Sequence, residues 1–271
     1  MHGQPPTAPL QVLPLLEARA ITKVYIQKRW TARRNVALES VDVSLSRGST
    51  LALVGRSGSG KSTLGRCLAF LERPDAGEIR FGGSSVTELS RNKLKQVRRC
   101  VQLIWQHSAL ALNPRFRAVD LIAEPLRVLG MGSARQRREE ALAMMSRLGL
   151  PTSLGNRTPL QLSGGQRQRL AIARALIANP AVIILDEALA GLDVRLQGNI
   201  ARLLMELKTS FSLSYLFISH DLRMAASIAD TIAVMENGRI VESQPTRELL
   251  LRPQHNATRT LLNSIPASPV Q

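Results

Sequence analysis

This sequence predicts an α/β domain with a mostly parallel sheet, interrupted by a helical insertion. Three observations lead there. Between residues 165 and 228, apolar strands and helix-forming segments alternate, the order that places parallel strands under a cover of helices. The short apolar run Leu51-Ala52-Leu53-Val54 leads through a glycine-rich loop into a helix-forming stretch. From Trp105 to about Leu160 the pattern turns to helices alone.

Taken in order, the chain begins with a Pro-rich stretch, residues 1–15, broken by Pro5, Pro6, Pro9 and Pro14; it lacks the basic flank of a signal peptide and reads as a disordered tail. Glu17 to Tyr25 reads as a first strand and Lys28 to Asn35 as a basic surface loop. Val36 to Leu45 alternates apolar and polar residues, as a half-buried strand does. Arg47-Gly48 turns the chain into Leu51 to Val54, the glycine loop, and a helix from Leu64 to Leu71. Arg73 to Gly77 is a turn, Glu78 to Phe81 a short strand closed by Gly82-Gly83, and Cys100 to Trp105 a buried strand. Ser133 is an N-cap for a helix over Ala134 to Leu148, which Gly149 and Pro151 close. Helix Gly165 to Ala178, strand Ala181 to Leu185, helix Val194 to Ser210, strand Ser214 to Ile218 and helix Leu222 to Ile228 complete the alternation.

The glycine loop is Gly55-Arg56-Ser57-Gly58-Ser59-Gly60-Lys61-Ser62-Thr63. Glycines let successive N–H groups and the positive end of the following helix converge on one anion, so strand, loop and helix form a phosphate cradle. Lys61 would reach the β- and γ-phosphates of a nucleotide, and the Ser62 hydroxyl is placed to complete a Mg²⁺ shell. A glycine turn matches this pattern by accident in roughly one random chain of this length in a hundred. The strand before and the helix after make accident rarer.

Composition bounds the rest. The chain of 271 residues is 44% hydrophobic, enough for a large buried core, and no uncharged apolar run approaches the ~18 residues of a membrane span. Its two cysteines, Cys67 and Cys100, give neither a disulfide framework nor metal spacing. The net charge of +16 is compatible with nucleic acid, an anionic membrane surface or solubility alone. With aromatics at 3% and basic clusters lacking aromatic interleaving, solvated faces are the better reading and no nucleic acid partner is expected.

A second chemical element is Val182-Ile183-Ile184-Leu185-Asp186-Glu187, a β-branched strand ending in two carboxylates where α/β sheets bind ligands. Asp186 would hold Mg²⁺ through water and Glu187 polarise a water for attack on the γ-phosphorus. Alone, such a strand end is as often a cap. Paired with Lys61, it supplies the metal and base half of a nucleotide hydrolase. Between the two lies Leu162-Ser163-Gly164-Gly165-Gln166, another glycine loop at a helix N-terminus.

These five residues reproduce the LSGGQ signature, and with the order of motifs the chain resembles the ATP-binding-cassette (ABC) family over about residues 16–265. The resemblance implies a P-loop nucleotide-binding domain with a mostly parallel core sheet, an antiparallel β-subdomain and an inserted helical subdomain. On that footing residues 16–245 form the ATPase domain, with its insertion at about 107–160, and 246–271 a C-terminal helix and tail. It also implies roles: Gln106 as the Q-loop glutamine touching Mg²⁺ and the attacking water, His220 as the switch histidine, Asp193 in a D-loop that crosses to the other subunit, and Tyr25 as the aromatic that stacks on adenine. ATP would lie between the Lys61 loop of one subunit and the Ser163 loop of its partner.

Gln106 to Arg115, ending in Asn-Pro-Arg, resembles the Q-loop region of dipeptide, oligopeptide and nickel importers. Gly55-Arg56-Ser57-Gly58 and Asp186-Glu187-Ala188 look most like the second ATPase of nickel importers, and His255 to Leu262 is similar to the tail helix of the peptide branch. Two residues depart from the pattern, Ala190 in the D-loop and His107 after Gln106, and no cysteine follows Cys100, so no iron–sulfur role is expected. The resemblance thus implies an ATP-hydrolysing importer subunit on the cytoplasmic face of the inner membrane. Its partners would be a second ATPase, expected to be a paralogue, two permeases and a solute-binding protein. The alternative is a soluble cassette ATPase in a nucleic-acid or phosphonate-degrading complex; a weakly active regulatory subunit is a third reading.

Overall fold

A computed structural model describes residues 13–28, 32–87, 89–105 and 112–263. Two sheets organise them. An antiparallel sheet has the order β2-β1-β4-β5, built from β1 (Leu16–Lys28), β2 (Ala32–Leu45), β4 (Ala76–Phe81) and β5 (Ser84–Ser85). The core sheet has the order β10-β9-β3-β8-β7-β6. Its strands are β3 (Thr50–Val54), β6 (Val101–Ile104), β7 (Val182–Asp186), β8 (Ser214–Ser219), β9 (Thr231–Glu236) and β10 (Arg239–Pro245). All neighbours in it pair parallel except β9 and β10, a hairpin closed by Asn237-Gly238.

The central strands β3, β7 and β8 are buried throughout, and mostly apolar, because both faces are covered. Leu51 and Leu53 of β3, Val182 and Ile184 of β7 and Leu216 and Ile218 of β8 enter one core, shared with α1 (Lys61–Leu68) and the antiparallel sheet. Ala52, Val54, Ile183, Leu185, Tyr215 and Phe217, one residue out of phase, enter a second core. That core is completed by α3 (Ala118–Leu129), α4 (Ala134–Arg147), α5 (Gly164–Leu176), α6 (Val194–Ser210) and α7 (Leu222–Ile228).

Leu15, read as part of the tail, is buried and its N–H donates to Leu45 O (2.8 Å), while residues 1–12 of that tail lie outside the described residues. The predicted elements stand to within about three residues at their ends, with three larger differences. Ala32 to Asn35 is strand: Lys28 pairs with Ala32 and Tyr25 with Asn35, so the ladder runs beyond the apolar alternation that marked Val36 to Leu45. Backbone pairing needs no apolar side chain where a hairpin faces water. Second, Arg91–Cys100 is a helix, α2, whose end takes Cys100 from the expected strand. It carries only Leu94 and Val97 as apolar residues packed on the core, too few to show a periodic stripe among its basic residues. Third, β9 and β10 extend the sheet past α7, although the β-branched run and Asn-Gly turn were there to be read. The helix α4 begins where predicted, with a capping box in which Ser133 and Gln136 satisfy each other's backbone N–H.

After β10, α8 (Thr246–Leu251) and α9 (Asn256–Asn263) fold back on the sheet. The Glu242 carboxylate, buried on β10, accepts from Gln254 N (2.9 Å), His255 N (2.9 Å) and the Thr258 hydroxyl, fastening the start of α9. There α9 walls a cavity of about 740 Å³ with the glycine loop Gly55 to Ser59. Burial alone would raise the Glu242 pKa, but the hydrogen bonds from Gln254, Thr258 and His255 hold it below the ordinary 4.5. A carboxyl group whose folded pKa is depressed contributes stability above its unfolded pKa and loses it as pH falls through the folded value. Glu242→Gln is therefore expected to cost about 1–3 kcal/mol at pH 7, and the gap to wild type should narrow below about pH 4. Urea unfolding at both pH values checks this; a gap independent of pH would refute the ionic part.

Candidate functional site

Three adjacent parallel strands bring the predicted residues to one edge. The pairs Val54↔Ser219 and Asp186↔Ile218 set the C-terminal ends of β3, β8 and β7 level, so the glycine loop, Asp186-Glu187 and His220 all leave the sheet there. The loop keeps its shape through its glycines. Gly55 (φ 155) and Gly60 (φ 105) lie at positive φ, and a Cβ would meet the Met235 carbonyl oxygen at 2.1 Å or that of Ala37 at 2.4 Å. Gly60 is the N-cap of α1, so the first N–H groups of the helix point into the loop.

Lys61 is buried at that mouth. Its ammonium donates to Gly55 O (2.8 Å), Arg56 O (2.9 Å) and Ser59 Oγ (3.3 Å), closing the loop around a positive charge. Burial lowers its pKa, against the pull of Glu187 and Asp186. Ser62 donates to Asp186 Oδ1 at 2.9 Å. Asp186 is 5% exposed, and burial raises its pKa against that hydrogen bond. A buried carboxylate beside a hydroxyl is a hard-oxygen pair, which fits a Mg²⁺ that takes its other ligands from nucleotide phosphates and water. Among the described residues no cluster of three or more His, Cys, Asp and Glu could hold a metal by itself.

Glu187 has φ 48, a left-handed backbone uncommon for a residue with a side chain. Its N–H bonds Ile218 O (3.0 Å), and its carbonyl accepts from Ala190 N (3.0 Å). The carboxylate lies 3.4 Å from His220 Nδ1, an ion pair when His220 is protonated. His220 is the exposed member, its side chain 61% accessible. Two glutamines brace the segment that follows: Gln168 of α5 donates to Ala188 O (3.0 Å) and Gln197 of α6 to Leu189 O (3.1 Å). Neither was singled out from the sequence, since a glutamine inside a helix carries no motif. Only the fold shows that α5 passes beneath the chain next to Glu187.

The remaining candidates sit elsewhere. Ser163 caps α5 in a capping box: its Oγ accepts from Gln166 N (3.3 Å) while Gln166 Oε1 accepts from Ser163 N (2.9 Å). The hydroxyl acts there as acceptor and keeps its proton to donate outward. Gly164 and Gly165 form the first turn of α5, its N–H groups unpaired within the helix. Asp193 caps α6 by accepting from Leu196 N (2.8 Å). Among the described residues, no hydrogen bond or ion pair joins Ser163 to Gln166 with Lys61, Ser62, Asp186 or Glu187. Tyr25 lies on β1, its ring 5.7 Å from the Lys23 ammonium and its hydroxyl accepting from Arg66 (3.1 Å). Gln106 and His107 lie outside the described residues.

The arrangement can hold a polyphosphate, a divalent ion and a polarised water at one sheet edge, and it presents a second anion-binding helix end apart from them. Comparison with known proteins gives the same direction. Residues 38–190 match the family model described as ABC transporter. The dipeptide transport ATP-binding protein DppF of Haemophilus influenzae is 40% identical over 256 residues, covering 93% of this chain and 78% of DppF. The nickel import ATP-binding protein NikE of Brucella suis is 42% identical over 260 residues, covering 95% of this chain and 97% of NikE. A solved structure, the dimeric post-hydrolysis state of the ATP-binding cassette MJ0796 bound to ADP and Pi, superposes with a TM-score of 0.75. It is 29% identical and covers 86% of this chain and 99% of its own.

Proposed function

Because the chain belongs to the ABC transporter family and is an ATPase of the cassette type, we propose that it energises a bacterial importer that takes up peptides or nickel through partner permeases. The observation that carries this is the sheet edge where Lys61, the Ser62–Asp186 pair and the Glu187–His220 pair meet, on a chain whose relatives are named for dipeptide and nickel transport. Those names give the nucleic-acid and phosphonate alternative no support.

ATP binds with its phosphates in the Lys61 loop, on the N–H groups of Gly55, Ser57, Gly58, Ser59, Gly60, Ser62 and Thr63, and its adenine on Tyr25. Ser62, Asp186 and Gln106 would hold a Mg²⁺ ion, which would supply charge neutralisation for the transferred phosphoryl group. Glu187 is the base and His220 orients water. The outward-facing Ser163 hydroxyl and the α5 N-terminus, with Gly164, Gly165 and Gln166, contact the ATP of a second ATPase subunit, a paralogue, and Asp193 crosses to that subunit. The MJ0796 cassette, described as dimeric, supports this arrangement.

No helix among the described residues is long and apolar enough to cross a membrane. On this reading the membrane passage belongs to two permease chains, with this subunit peripheral at the cytoplasmic face of the inner membrane and a solute-binding protein supplying cargo. A groove of about 380 Å³ between α2, β6, α3 and α5, where Trp105 and Val128 are exposed, supports contact with a permease. Tagged protein purified from membranes is expected to retain two permease chains and a second ATPase, identified by mass spectrometry. Recovery of this chain alone from membranes that contain those permeases would overturn the assignment.

A further inference from the structure

Arg66 lies on α1, one turn beyond Thr63, and its guanidinium ties together parts of the chain that are far apart in sequence. Nη2 donates to Thr63 Oγ1 (3.1 Å) and to the Tyr25 hydroxyl (3.1 Å), while Nε donates to Glu72 Oε2 (3.0 Å). Lys23 stands 3.9 Å from the same Glu72 carboxylate. A rigid planar fork suits this task, since one group holds several acceptors at fixed directions. Lysine would offer a point charge. The Arg66 side chain is only 32% exposed, so these bonds are partly shielded from water.

The consequence for Tyr25 is geometric. A tyrosine ring on a half-exposed strand can turn about two side-chain torsions, but here its hydroxyl edge is held by Arg66, itself anchored on Glu72. One ring face lies toward the Lys23 ammonium, so the opposite face is the one a base can use. Thr63, meanwhile, belongs to the phosphate loop. We propose that Arg66 is a positioning residue for ATP: it fixes the distance and tilt between the phosphate loop and the Tyr25 ring, so that base and triphosphate are bound together by a pre-set frame. This rests on the reading of Tyr25 as the adenine-stacking residue.

The test compares MgATP with Mg²⁺-ribose 5′-triphosphate, which keeps the sugar and phosphates and lacks the base, by calorimetric titration of the full chain. Arg66→Met is expected to weaken ATP about fivefold and to change ribose triphosphate less than about twofold. Tyr25→Phe keeps the ring and the Arg66–Thr63 bond but removes the hydroxyl; it should lower the ATP preference by the same factor, and the double variant should be no worse than either single one. Tyr25→Phe also answers the question if Arg66→Met does not fold. Equal weakening of both ligands in Arg66→Met with no effect of Tyr25→Phe would make Arg66 a support of the phosphate loop only and overturn the proposal. If Tyr25→Ala abolishes the preference for ATP while neither Arg66→Met nor Tyr25→Phe alters it, Tyr25 stacks unaided and the positioning role fails. If Tyr25→Ala leaves the preference intact, the adenine-stacking reading itself fails.

Discussion

Lys61→Ala is expected to weaken MgATP binding by at least about a hundredfold, the largest effect of any single substitution at this site. Two losses combine. The ammonium is the cation placed in the mouth of the loop, so its removal takes away the charge that meets the β- and γ-phosphates. It also leaves the carbonyls of Gly55 and Arg56 without their donor, at a spot where Asp186 and Glu187 already crowd negative charge. Without Lys61 the Asp186 pKa should rise further above its ordinary value. Calorimetric titration of the variant with MgATP gives the affinity, and thermal unfolding without nucleotide separates it from loss of fold. An ATP affinity within a few fold of wild type would refute the role assigned to Lys61.

Glu187→Gln comes second. It is expected to lower the ATPase turnover of the assembled complex by about 10²- to 10⁴-fold, the range general-base catalysis supplies, with KM for ATP changed far less. The substitution preserves shape. Its N–H bond to Ile218 O and its carbonyl bond from Ala190 N are backbone contacts and survive, and the amide still reaches His220. What disappears is the ability to take a proton from water, so binding and turnover should separate. Steady-state phosphate release from reconstituted complexes, with nucleotide binding measured in parallel, checks this. An unchanged rate would remove Glu187 as base and favour the reading of this chain as a regulatory subunit.

Much of the site is legible from the sequence because its parts are local. The Gly55 to Thr63 loop and the Ser163 loop each occupy one turn between regular elements, and α4 and α6 start at Ser133 and Asp193 because caps are local chemistry. Glu187 and His220 were placeable at the ends of strands, but their 3.4 Å approach depends on β7 and β8 being neighbours, which only the sheet order supplies. The bonds of Arg66 to Tyr25 and of Gln168 to Ala188 span 41 and 20 residues. No spacing rule reaches such pairs. The helix α2 was missed for a different reason: a basic helix lying at the rim of the core has little periodic hydrophobicity to show.

The second apolar core limits how α3 and α4 can move. Val119, Ile122 and Leu126 of α3 and Met144 and Met145 of α4 belong to the same continuous cluster as Val54, Ile183 and Leu185 of the sheet. To swing α3 and α4 away from α5 would open that cluster and expose several large side chains, each costing about 1.5–3 kcal/mol. A displacement that keeps those contacts is a shear of α3 and α4 on α5, the helix they pack against. Under that constraint α3, α4 and α5 would transmit a push as one packed unit.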